Sequence, residues 1–245
     1  MLEVCVDSLI SARAAIAGGA DRIELCSALC VGGLTPHGAL LEAIRQESDI
    51  PVRCLMRPRP GDFLYTTEER ELVKKQILRL KELGADGFVI GALLPDGRLD
   101  EETMAYWLEA CDGWGVTLHR CIDVSRDLEE TYLKAKKLGV DTVLTSGGCA
   151  SCQQGMENIG KLLALRDSVG GPEVLIGAGV NARVISAFRE KLPGARAFHM
   201  SGKQDRESKM VFRREGVPMG VPGFDEWRIA YTDENAVRAA KATIK

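Results

Sequence analysis

Gly19-Ala20-Asp21-Arg22-Ile23-Glu24-Leu25 ends a helical stretch on glycine and runs straight into a short apolar strand. The same join recurs at Gly84-Ala85-Asp86-Gly87-Phe88-Val89-Ile90, Gly139-Val140-Asp141-Thr142-Val143-Leu144 and Gly194-Ala195-Arg196-Ala197-Phe198. A residue just past the last helical turn often adopts a left-handed conformation, which glycine reaches without steric penalty. The four joins are 65, 55 and 55 residues apart, which leaves room for two strand-helix units in each interval. A second strand signal lies within each, at Pro51-Val52, Gly115-Val116 and Pro172-Glu173-Val174, and Met1-Leu2-Glu3-Val4 supplies the first of eight strands. Strands that alternate with helices form a parallel sheet. Eight such units in 245 residues predict an α/β fold, a (β/α)8 TIM barrel, with function at the C-terminal ends of its strands.

The strands are expected near 2–6, 21–26, 51–56, 86–91, 115–119, 140–145, 172–177 and 195–200, with helices between them. Residues 69–80 repeat apolar side chains every three or four positions with charges between, as an outer barrel helix should, and Glu71 and Lys75 are spaced for an i,i+4 pair. Residues 202–230, rich in Gly, Pro and basic side chains, read as an extension folded over one mouth of the barrel. A last helix is expected from about Asp233, capped by Thr232. The whole of 1–245 reads as one domain, with 202–245 packed on the barrel as a C-terminal extension and final helix.

A hydrophobic content of 45%, a charged content of 27% and a net charge of −3 describe an ordinary soluble globule. They give no basic field for nucleic acid or for an acidic membrane surface. No apolar run has the length of a membrane span, and Met1-Leu2-Glu3-Val4-Cys5 reads as strand rather than leader, so the expected compartment is the cytoplasm. Eight scattered cysteines in such a chain are expected to be thiols.

Successive strand side chains alternate faces. The apolar set on each strand marks the helix-covered side, which leaves Glu3, Cys5 and Asp7, then Arg22, Glu24 and Cys26, then Arg53 and Arg57 inside the barrel. Thr117, His119, His199 and Ser201 enter by the same parity. Most barrels fill this space with branched aliphatics. Buried charges must pair, and Glu3 and Glu24 are expected to balance Arg22 and Arg53.

These residues also carry a family resemblance. Glu3-Val4-Cys5-Val6-Asp7-Ser8, the stretch from Gly19 to Cys26, Gly32-Gly33-Leu34-Thr35-Pro36, Arg57-Pro58-Arg59, Gly61-Asp62-Phe63-Leu64-Tyr65, His119-Arg120, Asp123 and Leu144-Thr145-Ser146-Gly147 closely resemble the CutC copper homeostasis family, nearly end to end. The resemblance implies a cytosolic TIM barrel, usually a homo-oligomer, associated with copper tolerance and Cu(I) binding. Cys5 and Cys26 are the cysteines of the matching motifs. Pro60 stands where the family usually has glycine, Cys121-Ile122 replaces the usual Ala-Phe, and Cys30, Cys149 and Cys152 lie outside the family pattern.

Cu(I) prefers thiolates and accepts low coordination numbers. Cys5 and Cys26 end adjacent strands on one interior side, where strands lie about 4.8 Å apart, so they can share one copper ion as cargo, with Cys30 as a third donor. The alternative is two small packing residues. Cys54 and Cys111 are expected to be inert core, and a helix beginning near Gln153 is expected to lower the pKa of Cys152.

The same mouth has a second reading, as an enzyme acting on a small phosphorylated or carboxylated metabolite. Arg57 and Arg59, with the glycine-rich turns at Gly177 and Gly179 and at Ser201 and Gly202, outline an anion site. His119 is then the candidate acid or base, with Asp123, Glu24 and Asp62 as candidate partners and His199 as a second histidine. The sequence holds no fingerprint for a nucleotide cofactor or for magnesium.

Overall fold

The computed structural model describes residues 1–220 and 223–244. Eight parallel strands close into a barrel in chain order. They are β1 (Leu2–Val6), β2 (Arg22–Leu25), β3 (Val52–Leu55), β4 (Gly87–Ile90), β5 (Gly115–Leu118), β6 (Thr142–Thr145), β7 (Glu173–Ile176) and β8 (Ala197–Met200). Helices α1 (Leu9–Ala17), α2 (Gly38–Arg45), α3 (Thr67–Glu82), α4 (Glu101–Cys111), α5 (Leu128–Lys137), α6 (Met156–Val169) and α7 (Ala182–Lys191) follow the first seven strands, and α8 (Glu234–Ile244) ends the chain. The predicted TIM barrel is the observed fold.

The glycine joins work as read at three positions. Gly19, Gly84 and Gly139 have φ of 88°, 95° and 83°. In each, the aspartate two residues later turns back: Asp21, Asp86 and Asp141 each accept, at 2.7 Å, an N–H from the start of the preceding strand, at Leu2, Val52 and Val116. This clamp satisfies a donor at the sheet's end that has no ladder partner. Gly194 differs. Helix α7 stops at Leu192, whose own N–H bonds Phe188 O, and the position of the clamp is held by Arg196, which donates to Glu173 at 2.6 Å.

Helix α3 begins earlier than its periodicity suggests because Thr66 and Glu69 form a capping box. It buries Val73, Ile77 and Leu80. Glu71 accepts from Tyr106 Oη rather than pairing with Lys75. Cys54 and Cys111 lie in the helix-facing core, and burial pushes each thiol up to about 12.

Most of the described extension is solvent-exposed. Strands β9 (Lys203–Glu207) and β10 (Arg228–Thr232) pair antiparallel with each other, and between 203 and 230 the described residues are exposed apart from half-buried Ser208, Glu226 and Trp227. The hairpin's base is fastened: Thr232 N donates to Ser11 Oγ, and Thr232 Oγ1 donates to Ser201 O. Because that hydroxyl is engaged there, Asp233 rather than Thr232 caps α8, accepting from Ala236 N at 2.8 Å.

Candidate metal and anion site at the barrel mouth

The barrel interior is charged, as its strand parity implies, but its pairing differs from the simplest expectation. The register sets Glu3 level with Arg22 on one side and His199 on the other. Arg22 Nε donates to Glu3 Oε2 at 2.5 Å, and His199 Nδ1 lies 2.8 Å from Glu3 Oε1. Burial alone would raise the carboxyl of fully buried Glu3; the His199 hydrogen bond and the Arg22 charge outweigh it and bring the group down to about 2. His199 responds in the opposite sense: burial would lower it, but its interactions with Cys5 and the Glu24 charge, together with the hydrogen bond to Glu3, carry it well above the usual histidine value.

Arg53 does not pair with Glu24, though the two are register partners. Its guanidinium crosses the barrel to Asp141, at 2.8 and 3.0 Å, and to Thr117 Oγ1 at 2.7 Å. Two glycines open that path. A Cβ on Gly115 would stand 2.4 Å from Arg53 Nη2, and one on Gly87 would stand 3.1 Å from Arg53 Cγ.

One step nearer the mouth, Cys5 is level with Glu24 rather than with Cys26. The two cysteines are diagonal neighbours, with Cα atoms on the order of 8 Å apart by strand spacing and rise, not the 4.8 Å of level residues. Their side chains still share one small apolar cluster with Leu55, Val89 and Leu29. Cys5 is 7% exposed and Cys26 fully buried. Cys26 Sγ donates to Glu24 Oε2 at 3.4 Å, and burial, then the Glu24 charge, raises its thiol well above the ordinary range. Burial likewise raises Glu24. One ligand atom from each of Cys5, Glu24 and His199 lies within 4.8 Å of the other two. Cys30 is exposed.

His119 stands apart from that cluster. Its Nδ1 accepts from Cys121 N at 3.1 Å, its ring packs 4.8 Å from Phe63, and its buried Nε2 has no partner. Burial, then the Arg57 charge, lowers it to about 3, so it is neutral at physiological pH and unsuited to donate as an imidazolium. None of its candidate partners reaches it. Asp123 is saturated by Arg120 Nε, Thr145 Oγ1, Ser146 N and Oγ, and Gly148 N at 2.5–3.0 Å, a clasp between the segments after β5 and β6. Asp62 pairs with Arg59 at 3.0 Å, and Glu24 lies with His199.

The anion candidates are dispersed in the same way. Arg57 is buried, clipping the loops after β2 and β3 through Val31 O, Gly33 O and Gly61 O at 2.9–3.1 Å, which leaves only its buried Nε unpartnered. Arg59 is neutralised by Glu69 at 2.6 Å as well as Asp62. Gly177 N is spent in the sheet ladder on Thr145 O, while Gly179 takes φ +84° opposite Ser151. Ser201 and Gly202 accept from Thr232 and Asp233 and so fasten the extension. Cys152, expected to be activated, is instead buried, and burial raises it to about 11; α6 starts at Met156, too far on to stabilise its thiolate.

Comparison with known proteins decides the lineage. A family model described as the CutC family matches residues 1–204. The chain belongs to the CutC family. The copper homeostasis protein cutC homolog of Homo sapiens is 40% identical over 246 residues, covering 100% of this chain and 89% of that protein. A CutC family protein of Vibrio campbellii is 39% identical, covering 96% and 95%. A solved CutC structure from Streptococcus agalactiae superposes with a TM-score of 0.77 at 26% identity and covers 82% of this chain and 98% of its own. The CutC family model therefore ends inside β9, and most of the hairpin and α8 lie beyond it.

Proposed function

We propose that this CutC protein is a cytoplasmic copper-homeostasis protein that binds Cu(I) as cargo through the thiolates of Cys5 and Cys26. The observation that carries this reading is their placement: two buried thiols in one apolar cluster at the C-terminal end of the barrel. Soft sulfur donors shielded from water suit Cu(I), which is satisfied by two of them. The diagonal offset requires the two side chains to lean toward each other around the ion. The test is an anaerobic competition of reduced protein against a strong Cu(I) chelator, beside the Cys5→Ser, Cys26→Ser double variant. Tight binding lost in the variant supports the reading; failure of the unmodified protein to compete ends it.

The same proposal includes self-association through the hairpin. Half of the fourteen large hydrophobics exposed among the described residues fall between 210 and 229, with Val211 98%, Met219 83% and Phe212 67% exposed. An isolated two-stranded hairpin is marginal in water, and a concentrated apolar surface marks an interaction site. A second copy is the occupant that the size fits: the exposed residues described between 203 and 230 match the roughly 20–30 residues that each side gives to a stable interface.

An anion-binding reading keeps one supporting observation. Arg57 and His119 flank the Phe63 ring, at 5.3 and 4.8 Å, and each buries one nitrogen without a partner. A small phosphorylated or carboxylated metabolite, bound as substrate or ligand, would satisfy them. A thermal-shift screen of such metabolites tests this, and no stabilisation across the panel removes it.

A further inference from the structure

We propose that Cys5, Glu24 and His199 form a site for a borderline divalent cation, best matched by zinc, distinct from the two-thiolate copper site in using His199 and Glu24 in place of Cys26. The inference rests on the same barrel mouth holding metal through Cys5. Three observations carry it. One donor atom from each of the three residues already lies within 4.8 Å of the others. The donors are one sulfur, one imidazole nitrogen and one carboxylate oxygen, a mixture that zinc accepts and that Cu(I) does not favour. Finally, the histidine is oriented as a ligand should be. Its Nδ1 is engaged by Glu3 at 2.8 Å, so Nε2 faces Glu24 Oε2 at 3.8 Å. A carboxylate on the far ring nitrogen fixes the tautomer and raises the ligand's basicity.

The support continues outward. Glu3 is itself held by Arg22 at 2.5 Å, so the histidine's orienting group cannot swing away. On binding, the cation replaces the protons on the Cys5 thiol and on His199 Nε2, which pass to solvent, and no oxidant or reductant is needed. Three protein ligands leave a fourth tetrahedral position for water or a substrate atom.

The test uses Co(II) and Zn(II) on the full-length reduced protein. The expected result is one Co(II) bound with a thiolate charge-transfer band, displaced by Zn(II). X-ray absorption of the zinc-loaded, unmodified protein should show one sulfur neighbour with imidazole scattering. The band should vanish in Cys5→Ser and His199→Asn, persist in Cys26→Ser, and form about tenfold more weakly in Glu3→Gln. The proposal is overturned if the unmodified protein binds neither ion, or if the bound zinc shows two sulfurs and no imidazole. A variant that does not fold leaves the absorption result on unmodified protein to decide. Cu(I) competition on the same proteins separates the two sites: loss of Cu(I) binding in Cys26→Ser with Co(II) retained supports both, whereas Co(II) failing with Cu(I) retained defeats this inference alone.

Discussion

Glu3 is the carboxylate on which both Arg22 and His199 converge, with one oxygen 2.5 Å from Arg22 Nε and the other 2.8 Å from His199 Nδ1. The three are register partners across β2, β1 and β8, so closure of the barrel assembles the row. Removing the shared charge leaves two buried cations facing each other. Glu3→Gln should therefore cost about 3–5 kcal/mol in urea unfolding. A loss below about 1 kcal/mol, the size of a surface pair, would contradict a buried network.

The same row sets a pH dependence. Glu3 is held near 2 in the folded protein against 4.5 when free, so its contribution is full above 4.5 and is lost as pH falls toward 2. His199 is raised above 6.5, so its contribution is full below that value and is lost as pH rises through the raised one. Unfolding midpoints measured across pH should fall on both sides, and Glu3→Gln should flatten the acid limb. An acid limb unchanged in the variant would show that other carboxylates produce it.

Arg53 reaches Asp141 only because Gly87 and Gly115 leave it a path. Gly115→Ala should cost about 1–3 kcal/mol through overpacking against the guanidinium. Gly115 has no left-handed φ, so its cost reads crowding alone, whereas Gly113→Ala, where an added Cβ meets nothing within 4 Å but φ is +79°, reads left-handed strain alone. A Gly115→Ala loss below about 0.5 kcal/mol, the size of an ordinary surface change, would mean that space around Arg53 is not what Gly115 provides.

Replacing Phe212 and Met219 by serine should convert the proposed self-associated form to monomer in sedimentation without lowering the barrel's thermal midpoint, because neither side chain packs on the barrel core. Unmodified protein that sediments as a monomer at micromolar concentration would remove the hairpin from any role in assembly.

Much of this was legible in the residues, and for a physical reason: strand side chains alternate strictly, so apolar Val4, Val6, Ile23 and Leu25 on one face force Glu3, Cys5, Arg22 and Glu24 onto the other. What the alternation does not carry is register. It could not show that Cys5 is level with Glu24, or that His199 rather than Arg53 completes the Glu3 pairing. Nor could it show that Asp123 is consumed by a clasp whose donors, Thr145, Ser146 and Gly148, lie 22 to 25 residues away. Strand eight must meet strand one in a closed barrel, and that was the available signal for Glu3 beside His199. The exposed hairpin left a weaker trace, since its many Gly, Pro and basic residues describe a cover as well as an arm.

X-ray absorption at the copper edge of the Cu(I)-loaded, reduced protein tests most directly whether two thiolates hold Cu(I). Two sulfur neighbours and no nitrogen or oxygen shell are expected, with the sulfur signal gone in the Cys5→Ser, Cys26→Ser protein. Copper ringed by nitrogen or oxygen, or a sulfur signal that survives loss of both cysteines, would contradict two-thiolate binding.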